Sequence, residues 1–166
     1  MTKEKKDQPT WKDLGLQDLR DVSREDPRAL IDPEVMLCGD SEEDALHALA
    51  EYLGLGDPAV TEVVFQTPVG DVTVHCAQLP HIVEKRQDAR ERYAHFAVAT
   101  MTAPFEVWSV DYDDGSSRLA FIGLFRGARH MLVVVARVNG LVLWNFMHSD
   151  RKALNKHRHG TLVFSA

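Results

Sequence analysis

Beyond residue 40, apolar and polar residues follow two different periods, and the changes of period mark out the elements. Leu46, Leu49 and Leu53 recur at helical spacing, so residues 41–53 predict a helix. Ser41 stands where a cap belongs, Glu42, Glu43 and Asp44 fill the first turn, and Gly54 and Gly56 end the pattern. "EVVFQTPVGDVTVHC" alternates with period two on either side of a Pro-Val-Gly-Asp turn, which predicts a β-hairpin. A second helix is predicted from Pro80 to Met101, with Pro80 suited to a first turn and Pro104 ending the run. Then come apolar runs broken by turns: "FEVWSVDY", "DDGSS", "RLAFIGLF", "HMLVVVARV", "NG" and "LVLWNFM". A short basic helix over 150–157 and a last strand, "TLVFSA", finish the chain. Helices followed by a meander of strands predict an α+β domain. Helices would pack on one face of an antiparallel sheet of four or five strands, leaving the other face or an edge cleft for a ligand.

Residues 1–60 break this regularity. They carry Pro9, Pro27 and Pro33, and "DLGLQDLRDV" offers at most a short docking helix. They read as an acidic lead segment, with the principal domain over 61–166. "MTKEKKDQPT" has no apolar stretch and predicts no secretory signal, and no apolar run is long enough to span a bilayer, so no membrane partner is expected. The two cysteines, Cys38 and Cys76, lack metal-ligand spacing and predict free thiols in a reducing compartment.

Charge changes the picture more than composition does. Residues 1–117 hold 11 Lys and Arg against 24 Asp and Glu, a net −13; residues 118–166 hold 8 against 1, a net +7. The net −6 of the whole chain therefore hides a basic last third. That third either forms a basic face or is neutralised against the acidic part.

On a wheel of the predicted second helix, Lys85, Asp88, Arg92 and His95 fall within roughly 40° of His81. Ile82, Ala89, Tyr93, Phe96, Ala97 and Thr100 form the neighbouring apolar face. Arg86 and Arg90 lie at its far edge, placed to snorkel or to pair with acids such as Glu106. An ordinary solvated face explains the polar stripe. So does phosphodiester chemistry: an imidazole of pKa about 6.5 can move a proton at neutral pH, and a nearby cation can offset phosphate charge.

Other chemistries are poorly served. His157-Arg158-His159 sits among cations that would repel a metal, "DYDDGSS" fits a hairpin turn better than a calcium loop, and no phosphate-binding Gly pattern or nucleophile elbow occurs. No cofactor is expected. "RKALNKHRHG" concentrates Arg151, Lys152, Lys156 and Arg158, a cluster able to hold a phosphate backbone or simply to solubilise a terminal helix. Trp108, Tyr112 and Trp144 lie on strands, where core packing is the default for such rings.

The blocks "TPVGDVTV", "LPHIVEKR…ARERYAHF", "PFEVWSVDYDDGSSRLAFIGLF", "VNGLVLWNFM" and "LNKHRHGTLVF" together resemble the phage-associated Barnase–EndoU–Colicin–RelE-like nuclease domain. That domain is found at the C-terminus of Mu-like phage head morphogenesis proteins. The resemblance covers about residues 61–166. It implies a barnase/RelE-like α+β fold and metal-independent RNase activity, as a toxin or host-directed effector. Residue by residue, it implies catalytic roles for His81, Lys85, Arg118 and Asn145: His81 as base or acid, with Lys85 and Arg118 on the phosphate. Arg92, Lys156 and Arg158 would bind RNA, Asn155 completing the C-terminal motif, and Arg151 and Lys152 of the basic run join them as candidate RNA-binding residues. The substrate would be RNA, tRNA among the candidates, with an immunity or capsid protein as a further partner. The place of action would be the bacterial host's cytoplasm or the virion. The other readings are a non-catalytic virion or nucleic-acid-binding module that keeps the fold, and a DNA-binding accessory. The lead segment would then be a linker or a shield over the basic face.

Overall fold

In the computed structural model, which describes residues 2–166, the Ser41 side chain accepts the Asp44 N–H and opens helix α1 (Glu42–Tyr52). Ala45 and Leu49 are its buried side. Strands β1 (Glu62–Thr67) and β2 (Gly70–His75) form the expected hairpin. A 3-10 turn at Cys76–Gln78 leads into α2 (Leu79–Val83), and α3 (Ala94–Thr102) follows. The meander is β3 (Glu106–Asp111), β4 (Ser117–Gly123), β5 (His130–Arg137) and β6 (Leu141–Ser149). Asn139 and Gly140, both with positive φ, turn β5 into β6. Helix α4 (Arg151–Asn155) and β7 (Thr161–Ser165) complete the chain.

The class is α+β as expected, but the sheet has seven strands rather than four or five, in the order β1-β2-β6-β5-β4-β3-β7. It is not wholly antiparallel, because β2 runs parallel to β6 over two residue pairs, Val72↔Leu141 and Thr73↔Val142. The N-terminal hairpin and the last strand extend the meander at its two ends.

Both faces of the central strands are covered. Leu119, Phe121, Met131, Val133, Val135 and Phe146 pack under α1, α2 and α3. Their alternates, Ala120, Ile122 and Leu132, pack with Trp108, Leu154 of α4, and Leu19 and Val22 of the lead segment. Such two-sided burial is why these strands read as nearly continuous apolar runs. The second face is therefore not simply free for a ligand. Residues 2–40 contribute buried side chains to its cover, which does not extend over Val142 and Trp144 at the β6–β2 end. Asp18 caps a 3-10 turn at Leu19–Asp21 that inserts Leu19 beneath α4, and backbone bridges join Glu4 to Tyr112, Thr10 to His159 and Leu30 to Phe125.

The predicted helix from Pro80 to Met101 is broken. After α2 the chain turns through residues 84–89, with Ala89 left-handed (φ 42°), then makes a 3-10 turn at Arg90–Tyr93 before α3. Two ion pairs explain the break. Arg86 forks onto Glu91 at 2.6 and 2.9 Å, and Arg90 meets Asp88 at 3.1 Å. Spacings of five and two residues do not face each other on an α-helix, so only the turn brings these pairs together. Glu91 is fully buried. Burial pushes its carboxyl up, but the Arg86 fork and the Gly39 N–H outweigh that and hold it below its ordinary value. Arg86 and Arg90 are thus structural, and neither pairs with Glu106.

Glu106 instead holds Arg158, which is 1% exposed and cannot reach a nucleic-acid backbone. The guanidinium donates to both Glu106 oxygens at 2.6 and 2.9 Å, to the Gln17 carbonyl at 2.9 Å and to Asn155 Oδ1 at 3.0 Å. Asn155 is also interior: it donates to Asp18 and accepts the Leu19 N–H. Gly160 (φ 98°) lets the chain turn sharply here, since a Cβ would collide with the Ser109 carbonyl oxygen. On the same face His130 is 3% exposed, with the Phe125 N–H 3.1 Å from Nδ1 and Arg151 Nε 3.3 Å from Nε2. A doubly protonated ring would set N–H against N–H. Burial, then the Arg151 charge, push its pKa down to about 4.

Two stability measurements test this layer. Arg158→Ala strands the buried Glu106 and is expected to cost about 3–5 kcal/mol in urea unfolding, whereas exposed Lys156→Ala should stay within roughly 0.5 kcal/mol. His130 stays neutral in the folded state while the unfolded state takes up a proton below pH ~6.5. Its contribution is whole above that pH and is lost as pH falls toward 4. The advantage of the wild type over His130→Gln should therefore shrink by up to about 3 kcal/mol between pH 7 and pH 4.

Candidate functional site

β2 and β6 part after Val142, and the gap between them is the origin of the site. The strand end of β2 runs into the 3-10 turn and α2, whose residues lie along the unpaired edge of β6. Gln78 Nε2 donates to the Trp144 carbonyl at 3.2 Å. On its other edge β6 carries a bulge: Val135 pairs with Leu143 and Val134 with Asn145, leaving Trp144 as the extra residue. A bulge re-aims side chains, and here Trp144 is half-buried at the open end of the second face.

Two of the four expected catalytic residues meet at this indole. The His81 ring is centred 6.1 Å from the Trp144 ring. The Arg118 guanidinium lies 5.3 Å from the Trp144 centroid and 4.6 Å from that of Tyr112. Contact with two aromatic faces restricts the guanidinium and leaves its N–H edge for an anion. Burial lifts the Tyr112 phenol above its ordinary pKa against the opposing pull of Arg118. His81 is about half exposed, with Nδ1 3.3 Å from a Glu84 carboxylate oxygen. A carboxylate at Nδ1 orients the ring and leaves Nε2 for a substrate.

The other expected residues are distributed differently. Asn145 lies beside Trp144, but its Oδ1 accepts from Arg90 Nη1 and from the Phe146 N–H, both at 2.8 Å. Arg90 is 7% exposed, and its Nε is buried without a partner. Asn145 therefore anchors the bulge to the turn after α2. Lys85 is exposed within the 84–89 turn and forms no ion pair among the described residues. Arg92 turns back on the Asp88 and Ala89 carbonyls and lies 5.1 Å from the Tyr93 ring.

Arg92 belongs to a second cationic group that the sequence did not announce. Arg129 lies 5.5 Å from the same Tyr93 ring, and the His148 ring is centred 4.7 Å from it. Burial, then Arg129 and Arg92, hold the His148 pKa below its ordinary value. Of the C-terminal basic run, Arg151 donates to the Leu19 and Val22 carbonyls and Arg158 is interior, so only Lys152 and Lys156 are exposed. His75, half-exposed with Nδ1 3.4 Å from Glu62, also borders the Trp144 pocket and was missed, because a strand-end histidine carries no helical phase. Among the described residues, no three His, Cys, Asp or Glu side chains group as a metal site, and no helix is long and apolar enough to cross a membrane.

Compared with known proteins, residues 46–165 match the model of a family described as phage-Barnase-EndoU-ColicinE5/D-RelE like nuclease2. No curated protein and no solved structure matches the chain.

The assignment of Asn145 as an anchor has a direct check. Asn145→Ala removes the acceptor for buried Arg90 and for the Phe146 N–H, and should lower stability in urea by about 1–3 kcal/mol. Lys85→Ala, at an exposed turn position, should change it by no more than roughly 0.5 kcal/mol.

Proposed function

Because the chain belongs to the phage-Barnase-EndoU-ColicinE5/D-RelE like nuclease2 family, we propose that it is an endoribonuclease that cleaves RNA by attack of the 2′-oxygen, without a metal. The observation that carries this reading is the meeting of His81 and Arg118 at Trp144, at the part of the sheet that the lead segment leaves uncovered beside β6. His81 Nε2 takes the proton of the 2′-OH. The 2′-oxygen then bonds to phosphorus, and Arg118 offsets the charge that grows on the non-bridging oxygens. The bond from phosphorus to the 5′-oxygen breaks, and the leaving oxygen takes a proton from water in the open strip. The products are a 2′,3′-cyclic phosphate and a 5′-hydroxyl. Exposed Lys152 and Lys156 are available to the backbone of a long substrate.

The biological reading that follows is a toxin or host-directed effector of phage origin, acting in the host cytoplasm or carried with the virion. An immunity or capsid protein is its candidate partner.

Cleavage of total RNA or tRNA with EDTA present, followed by analysis of the new ends, tests the chemistry. The expected outcome is 2′,3′-cyclic phosphate ends. His81→Ala should lower kcat/KM by about 10²–10⁴-fold and Arg118→Ala by about 10²–10³-fold, with the fold intact in both. No cleavage, together with no growth inhibition on expression, would leave a non-catalytic virion or nucleic-acid-binding module.

A further inference from the structure

The uncovered strip continues past Trp144 into a pocket that the proposed phosphate chemistry does not use. It lies between the β2–α2 junction and the β5–β6 turn, with a volume of about 520 Å³. That falls within the roughly 300–1,000 Å³ of small-molecule sites. Its floor is apolar and flat, made by Val142 and the Trp144 indole, with Ala77 at the mouth. Its rim is polar: Gln78, Asn139 and the His75 imidazole. No Lys or Arg is among its lining residues.

These features exclude some occupants and fit another. A phosphate would find no Lys or Arg inside. An aliphatic chain would leave the amide rim unpaired, which costs free energy on binding. A flat heteroaromatic ring with hydrogen-bonding edges would use both parts. Gln78 commits Nε2 to the Trp144 carbonyl, which fixes its amide and leaves Oε1 as an oriented acceptor. Asn139 is held by a left-handed backbone (φ 51°) at the turn and presents both a donor and an acceptor. The indole that floors this pocket is the one that carries Arg118 and His81, so a ring stacked there would bring its attached phosphate beside them.

We infer that the Trp144 pocket is a nucleobase subsite, in which a base stacks on the indole and is read by Gln78 and Asn139. The inference deepens the nuclease reading and rests on it for the role of the bound base, while the binding itself can be measured without cleavage. Base-on-aromatic stacking is sequence-tolerant by itself, so selection among bases would come from the two amides. This is a pocket for one base beside the scissile phosphate, distinct from the cationic group around Tyr93.

Tryptophan fluorescence provides the readout. Trp108 is wholly buried and Trp11 is only half-buried beside Arg158, so in a Trp11→Phe background quenching by a small ligand reports Trp144. The probes are the four nucleoside 3′-monophosphates, with inorganic phosphate as the baseless control. At least one nucleotide should bind ~10-fold or more tightly than phosphate, and Ala77→Leu, which crowds the pocket from an exposed position without adding a fluorophore, should remove that difference. Gln78→Ala and Asn139→Ala should change the order of preference among the four. Nucleotides that bind no better than phosphate to the folded wild-type protein would overturn the inference. So would RNA cleavage whose base preference is unchanged in Ala77→Leu, although the nuclease reading would then stand. Base-dependent binding by a protein that cleaves no RNA would support the pocket and sink the nuclease reading.

Discussion

The buried pair between Arg158 and Glu106 governs how the rest of the molecule closes. Removing two charges from water is costly, and the cost is offset only where every donor and acceptor is used in good geometry. Here Glu106 takes two N–H bonds from Arg158 and a third from the Trp108 indole, while Arg158 also binds Gln17 and Asn155. One guanidinium thus ties together β3, the turn after α4 and the lead segment, and Trp11 packs against its outer side. Without Gln17 and its neighbours over the pair, the charge would meet solvent from the second face. The acidic lead segment is bound into the fold by this requirement.

That closure decides where the molecule can bind anything. The second face is covered over β3, β4 and β5, and the cover thins at Arg118, where Glu4 and Tyr112 form its edge. The hairpin β1–β2 reaches the sheet through only two residue pairs, so the far edge of β6 has no long strand beside it. Between these limits lies one open strip, and the β6 bulge puts Trp144 in the middle of it. The strip is a remainder of two packing events, which is why side chains distant in sequence, His81, Arg118 and Trp144, share it.

Local signals were legible where they decide local structure. Ser41 and its acids predict α1, Asn139-Gly140 predicts a turn, and the alternation in 62–75 predicts a hairpin, because capping, φ > 0 tolerance and period two act over a few residues. Only the family-like pattern tied His81 and Arg118 to one candidate site. The helical wheel that singled out His81 assumed a continuous helix that the Arg86–Glu91 and Arg90–Asp88 pairs prevent. Arg158 and Lys156 look alike in "NKHRHG", yet one is interior and the other exposed, since the partner that decides this lies 52 positions away from Arg158. Trp108 and Trp144 are both strand tryptophans beside a register shift, but Leu19, Val22 and Leu154 cover the first while the second stays half-buried.

The charge asymmetry also resolves at the level of single residues. A net +7 over residues 118–166 suggested a basic wall, but Arg158 is neutralised internally and Arg151 is spent on two carbonyls. Arg118 keeps its charge and gives up its freedom, lying against two rings. That trade suits the proposed chemistry. A guanidinium already held in place stabilises growing phosphate charge without first ordering itself, and preorganisation of this kind is where electrostatic catalysis gains most. A dispersed basic surface raises affinity for any phosphate backbone, but it does not distinguish the transition state from the bound substrate. The protein's net charge can therefore stay acidic while its proposed site works, because the site needs one well-held cation rather than many.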